Sequence, residues 1–119
     1  MVENQEPDRD VLGILSDDVA KTILTVTDQR AMSAQALEAR CDASLTTIYR
    51  RVDELLESGL LRERLELRPD GNHHKTFESN LDQLSVRLDD GSLEIDVDRR
   101  DDAADRLRTI WDAMQPRWR

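Results

Sequence analysis

Aromatic residues make up only 3% of this 119-residue chain, so Leu, Ile, Val and Ala must fill most of whatever core it builds. A single cysteine, Cys41, excludes an intrachain disulfide. No apolar run approaches the roughly 18 residues that a membrane-spanning helix requires. The stretch from Met1 to Glu6 has neither the basic nor the apolar region of a signal peptide, so a cytoplasmic protein is expected. There is no glycine-rich phosphate loop, no box of metal ligands and no nucleophile set beside a base. The acidic pairs Asp17-Asp18, Asp89-Asp90 and Asp101-Asp102 read as caps and turns rather than as general acid and base groups. His73 and His74 are adjacent on an expected strand and therefore point to opposite faces. Catalysis, a cofactor and a metal site are accordingly not expected, and Cys41, at the end of an expected helix, reads as a packing residue.

Lysine is nearly missing too. The chain has 2 Lys against 15 Arg, and its 17 Asp and 9 Glu bring the formal charge to −9 with a pI of about 4.6. Asp-rich, Lys-poor usage is similar to that of proteins from salt-loving archaea. In molar salt the Debye length falls to about 3 Å, so acidic flanks no longer repel a polyanion at a distance. The same salt removes most of the counterion-release gain in DNA binding, leaving direct contacts and shape. The acidity is also unevenly spread. Residues 40–76 hold seven basic and seven acidic side chains, whereas the rest holds 10 and 19, which accounts for the whole −9.

That neutral stretch lies inside the most strongly patterned part of the chain. Ser33 is a candidate N-cap for a helix running to about Arg40 and stopping near Cys41-Asp42-Ala43. Ser44 starts a second helix at once, and Gly59 supplies the left-handed residue that ends it. Leu45, Ile48, Val52, Leu55 and Leu56 recur at spacings of three and four and so form one buried stripe. Thr46, Thr47, Tyr49, Arg50 and Arg51 are left outside, and from Ser44 to Val52 there are two positive charges and no negative one. Side chains of that kind reach base edges and phosphates when a recognition helix lies in a major groove. Residues 60–67 and 73–79 then form a hairpin around Pro69-Asp70-Gly71-Asn72. Its cations, Arg62, Arg64, Arg68, His73, His74 and Lys75, are candidates for the phosphate backbone or a minor groove.

Upstream, residues 1–9 read as a loose terminus, residues 10–15 as a short turn, and residues 17–28 as a helix. Downstream, residues 84–88 and 93–97 form a second hairpin around Asp89-Asp90-Gly91, and a final helix starts at Asp98 and ends before Pro116. The expected fold is α+β: a winged helix-turn-helix over 10–80, with a three-helix core and a β-hairpin wing, followed over 81–119 by a second hairpin and a C-terminal helix. Ala103, Ala104, Leu107, Ile110, Trp111 and Met114 share one face of that helix, with Arg106, Arg108 and Asp112 opposite, and Trp118 follows. Because the core already has three helices and a wing, Leu107, Ile110, Trp111 and Met114 are expected to form a dimer interface.

Three segments carry a family likeness: Leu15-Ser16-Asp17-Asp18, Ser33-Ala34-Gln35-Ala36-Leu37, and Ser44-Leu45-Thr46-Thr47-Ile48-Tyr49-Arg50-Arg51-Val52-Asp53-Glu54-Leu55 with its trailing Gly59-Leu60-Leu61. Over roughly residues 10–98 the chain resembles the winged-helix transcriptional regulators of haloarchaea, within the broad ArsR-like group. The resemblance implies a homodimer that reads double-stranded promoter DNA, with helix 44–58 in the major groove and the wing over the backbone. Metal-sensing relatives carry paired cysteines in the recognition helix, and this chain has none there. A protein-binding winged helix, part of a transcription or other assembly, is the alternative that the acidic surface favours.

Overall fold

The computed structural model describes residues 6–101 and, in the helical segment that follows, residues 107, 110, 111, 113 and 114. Four helices lead, α1 (Glu6–Leu15), α2 (Asp18–Gln29), α3 (Ala34–Cys41) and α4 (Leu45–Glu57). Two antiparallel hairpins follow, β1 (Leu61–Leu67) with β2 (His73–Ser79), and β3 (Leu81–Asp89) with β4 (Ser92–Arg99). The helix starts are fixed by side chains. The Asp17 carboxylate accepts from Ala20 N–H at 2.9 Å, Ser33 Oγ from Ala36 N–H at 3.2 Å, and Ser44 Oγ from Thr47 N–H at 3.2 Å. Each cap satisfies a backbone donor that the first helical turn leaves open.

Ile23, Leu37, Ile48, Val52 and Leu55 meet as the fully buried centre of the three-helix core. Leu45 and Leu56, the flanks of the expected stripe, are only partly buried against it. Truncating a buried Leu or Ile of this kind typically costs about 2–5 kcal/mol. The wing is anchored to this core by a short bridge. Met32 N–H donates to the Phe77 carbonyl at 3.0 Å, Phe77 N–H donates to Met32 at 2.8 Å, and both side chains are buried.

Two local expectations are corrected. Residues 10–15 are not a turn. They belong to α1, which begins at Glu6 inside the stretch expected to be loose, because Val11 is fully buried and Leu12, Ile14 and Leu15 pack beside it. Tertiary packing on α2 and β4 outweighs the helix-weakening Gly13. The final helix, in turn, does not start at Asp98. Strand β4 runs on to Arg99, with Asp98 opposite Gln83 and Arg99 opposite Leu81 across a bulge, and helical backbone begins at Arg100.

The junction after the wing was not visible in the sequence. Asn80, 2% exposed, donates its backbone N–H to Leu60 and its side-chain amide to the Gly59 carbonyl, both at 2.8 Å, and accepts from Arg100 N–H at 2.7 Å. Its side-chain oxygen also accepts from Asp101 N–H at 3.3 Å. The Arg99 guanidinium donates to the Ser58 carbonyl at 2.8 and 3.1 Å, covering the C-terminus of α4 with positive charge where the helix dipole favours it. Gly59 has φ 77°, and a Cβ there would lie 2.7 Å from Arg99 Nε. The end of the second hairpin is thus bonded to the end of α4.

Candidate nucleic-acid interface

Helices α3 and α4 are joined through Asp42, whose left-handed backbone (φ 52°) turns the chain, and then Ala43 and the Ser44 cap. With Ile48, Val52 and Leu55 held inside, the first turns of α4 present Thr46, Tyr49 and Arg50 to solvent. Tyr49 is 48% exposed, and Arg50 has no hydrogen-bond or ion-pair partner among the described residues. Thr47 is half-buried, and its hydroxyl accepts from Ser44 Oγ at 3.1 Å, which commits the Ser44 proton to the cap.

Arg51 is placed differently from the expectation that put it beside Arg50. One residue further round the helix, its side chain is 24% exposed and lies against α2, with Nε 2.9 Å from the Asp17 carboxylate and Nη1 3.6 Å from Glu54. The Ala20 N–H and the Arg51 guanidinium together hold the Asp17 carboxyl below its usual range. Arg51 is therefore a tie between α4 and the cap of α2. Adjacent positions on a helix differ by about 100° in direction, which is enough to separate a solvent-facing arginine from a braced one.

Strand alternation divides the wing cations. Arg62, Arg64 and His74 share one face with Glu66, Thr76 and Glu78, while Lys75 and His73 share the other with Glu63, Leu65, Leu67 and Phe77. Most are paired within the hairpin or at its base. Arg62 lies 2.8 Å from Asp101 and 3.6 Å from Glu78, Arg64 lies 3.5 Å from Glu78, and Lys75 lies 3.7 Å from Glu63. At the tip, Arg68 Nη2 is 2.8 Å from His74 Nδ1. The expected set is thus not one continuous patch.

Part of it does converge. A cleft of about 190 Å³ opens between the N-terminus of α3, Tyr49 of α4, and His73, His74 and Lys75 of β2, with Ser33 and Gln35 on its helical wall. Ser33 had a sequence signal as a cap, but Gln35 had none, because nothing in the local pattern shows that β2 comes to lie across from α3. The cleft joins an exposed phenol, a lysine and the N-terminus of α3, a combination suited to an anion.

Residues 15–64 match the family model of a helix-turn-helix domain. No curated protein matches the chain. The matched span begins at the last residue of α1, takes in α2, α3 and α4, and ends within β1. The matched span contains the exposed start of α4 and the Asp17–Arg51 tie, whereas most of the wing and all of the second hairpin lie beyond it. Among the described residues no helix is long and apolar enough to cross a membrane, and no three His, Cys, Asp or Glu side chains come together as a metal-ligand group. Cys41 is partly buried, and burial pushes its thiol up, against the pull of Arg40. The reactive thiolate is disfavoured there.

Proposed function

We propose that this protein is a sequence-specific regulator of transcription, not an enzyme, that binds double-stranded DNA as a homodimer. The single observation that carries this reading is the helix-turn-helix domain with Thr46, Tyr49 and Arg50 exposed and uncommitted at the start of its second helix. Helix α4 enters the major groove by its N-terminal turns, Arg50 addresses base edges, and Thr46, beside the Ser44 cap, reaches the adjoining backbone. The cleft beside Tyr49 seats a phosphate, with Lys75 and His73 of the wing on its far side. Two copies related by a two-fold axis read a palindromic site whose halves lie one helical turn, about 34 Å, apart.

A gel mobility shift with genomic fragments, including the promoter of its own gene, at molar potassium salt tests the reading. Retardation of a discrete subset that survives unlabelled non-specific competitor is the expected result. If no fragment shifts, the alternative of a protein-binding winged helix takes its place. The Asp-rich, Lys-poor composition supports a cytoplasm rich in salt, so the melting temperature should climb as potassium chloride rises from about 0.1 M, where charges repel over about 10 Å, to molar levels. A flat curve would remove the halophilic reading.

A further inference from the structure

The register of the second hairpin puts Leu84, Val86 and Leu88 opposite Val97, Ile95 and Leu93, all on one face. The other face carries Ser85, Arg87, Glu94 and Asp96, and is closed by the Arg87–Glu94 ion pair at 2.7 Å. The domain uses only the basal part of the apolar face. Ile95 and Val97 are 2% and 9% exposed in the core, whereas Val86, Leu88 and Leu93 are 52%, 75% and 42% exposed. An uncharged strip this long stands out in a chain of net charge −9, since solubility alone would favour carboxylates there.

Among the described residues this strip stays open. Leu107, Ile110, Trp111 and Met114 are themselves 55–67% exposed, so two apolar surfaces stand open in the same molecule. We propose that the distal face of hairpin β3–β4, formed by Val86, Leu88 and Leu93, docks a second copy of this chain, and that the C-terminal stripe is buried in the same association. A second copy suits both surfaces because it brings both. An uncharged strip is also self-complementary about a two-fold axis, as an isologous interface requires. The area is adequate: seven large side chains leaving on the order of 100 Å² each open amount to roughly 700 Å² per copy, against the ~800 Å² per partner of a standard stable interface.

This inference rests on the homodimer reading above and gives it a surface that does not depend on DNA. The test is the mass of the full-length protein in solution, wild type against Leu88→Glu, by light scattering and sedimentation over a range of concentrations. The wild type should be a dimer. In the variant the dimer dissociation constant should rise by about 30-fold or more, the loss expected when a central apolar anchor becomes a charge. Far-UV circular dichroism should stay unchanged, because residue 88 makes no part of the core. Leu88→Asn, uncharged, serves as a second variant should the glutamate disturb folding, and the same weakening is expected. A dimer of unchanged affinity in a folded variant overturns the hairpin surface while leaving the homodimer standing. A monomeric wild type at about 100 μM overturns both, whether or not the protein shifts DNA.

Discussion

The two hairpins are built alike and charged differently. Both are antiparallel, tightly turned and tied to the same three-helix core, yet the wing (61–79) holds four basic and four acidic side chains besides its two histidines, while the second hairpin (81–99) holds two and six. The wing spreads its charges over both faces. The second hairpin keeps its mid-strand charges on one face and leaves the other apolar. Backbone geometry therefore does not distinguish the two arms. What distinguishes them is which residues the two-residue period sends to each face.

The largest effect expected on one side of this comparison comes from the recognition helix. Replacing Tyr49 and Arg50 together by Ala should lower affinity for the specific site by 100-fold or more, at about 1–3 kcal/mol for each lost base contact. The melting temperature should hold, because both side chains point to solvent. Fluorescence anisotropy at fixed salt measures the affinity, and light scattering should still report the wild-type mass. A matching loss of dimer would mean that DNA reading and assembly are not divided between the two regions.

Asp17→Ala sharpens the division by separating loss of contact from loss of support. The substitution removes the cap of α2 and the partner of Arg51, together about 1–2 kcal/mol with the partly exposed ion pair discounted. The melting temperature should fall by roughly 5 °C. The pH dependence has a definite sign. Because the folded Asp17 pKa is depressed, its contribution is fully present above the unfolded pKa, near 3.9, and is lost as pH falls through the folded value. The gap in stability between wild type and variant should accordingly be constant near neutral pH and close below about pH 4. A gap that persists in acid would place the effect in packing instead of charge.

Asp17 also shows where sequence reasoning stops. Its role as a cap is local and was legible, as were Ser33, Ser44, Gly59 and both hairpin turns, since each is fixed by neighbours within a few residues. Its bond to Arg51 joins positions 34 residues apart, and no periodicity reports such a pair. Asn80 was missed for the same reason: a lone polar residue between two strands reads as a linker until the chain folds Gly59, Leu60, Arg100 and Asp101 around it. Helix α1 failed differently, because its amphipathic run is short and interrupted by Gly13, and packing on α2 and the second hairpin stabilises it.

The smallest expected effect concerns the wing, where charge is present but held. Glu78 is within salt-bridge distance of both Arg62 and Arg64, at 3.6 and 3.5 Å, so it competes with any phosphate for two of the wing's four formal cations. Glu78→Gln keeps the shape and hydrogen-bonding reach of that side chain while removing its charge. Arg62 keeps Asp101 at 2.8 Å, so Arg64 is the cation released, and its engagement by a phosphate should steepen the dependence of log affinity on log salt by about 1. Non-specific affinity should therefore rise a few-fold in dilute salt and converge on the wild type at molar salt, while dimer mass stays constant. The arginine partners of Glu78 are 43% and 55% exposed, so the pairs it gives up are worth little to stability, and the melting temperature should move by less than about 1 kcal/mol would imply. An unchanged salt slope would show that the Arg62 and Arg64 face of the wing points away from DNA, which would leave the contact to the opposite face, where Lys75 and His73 border the Tyr49 cleft.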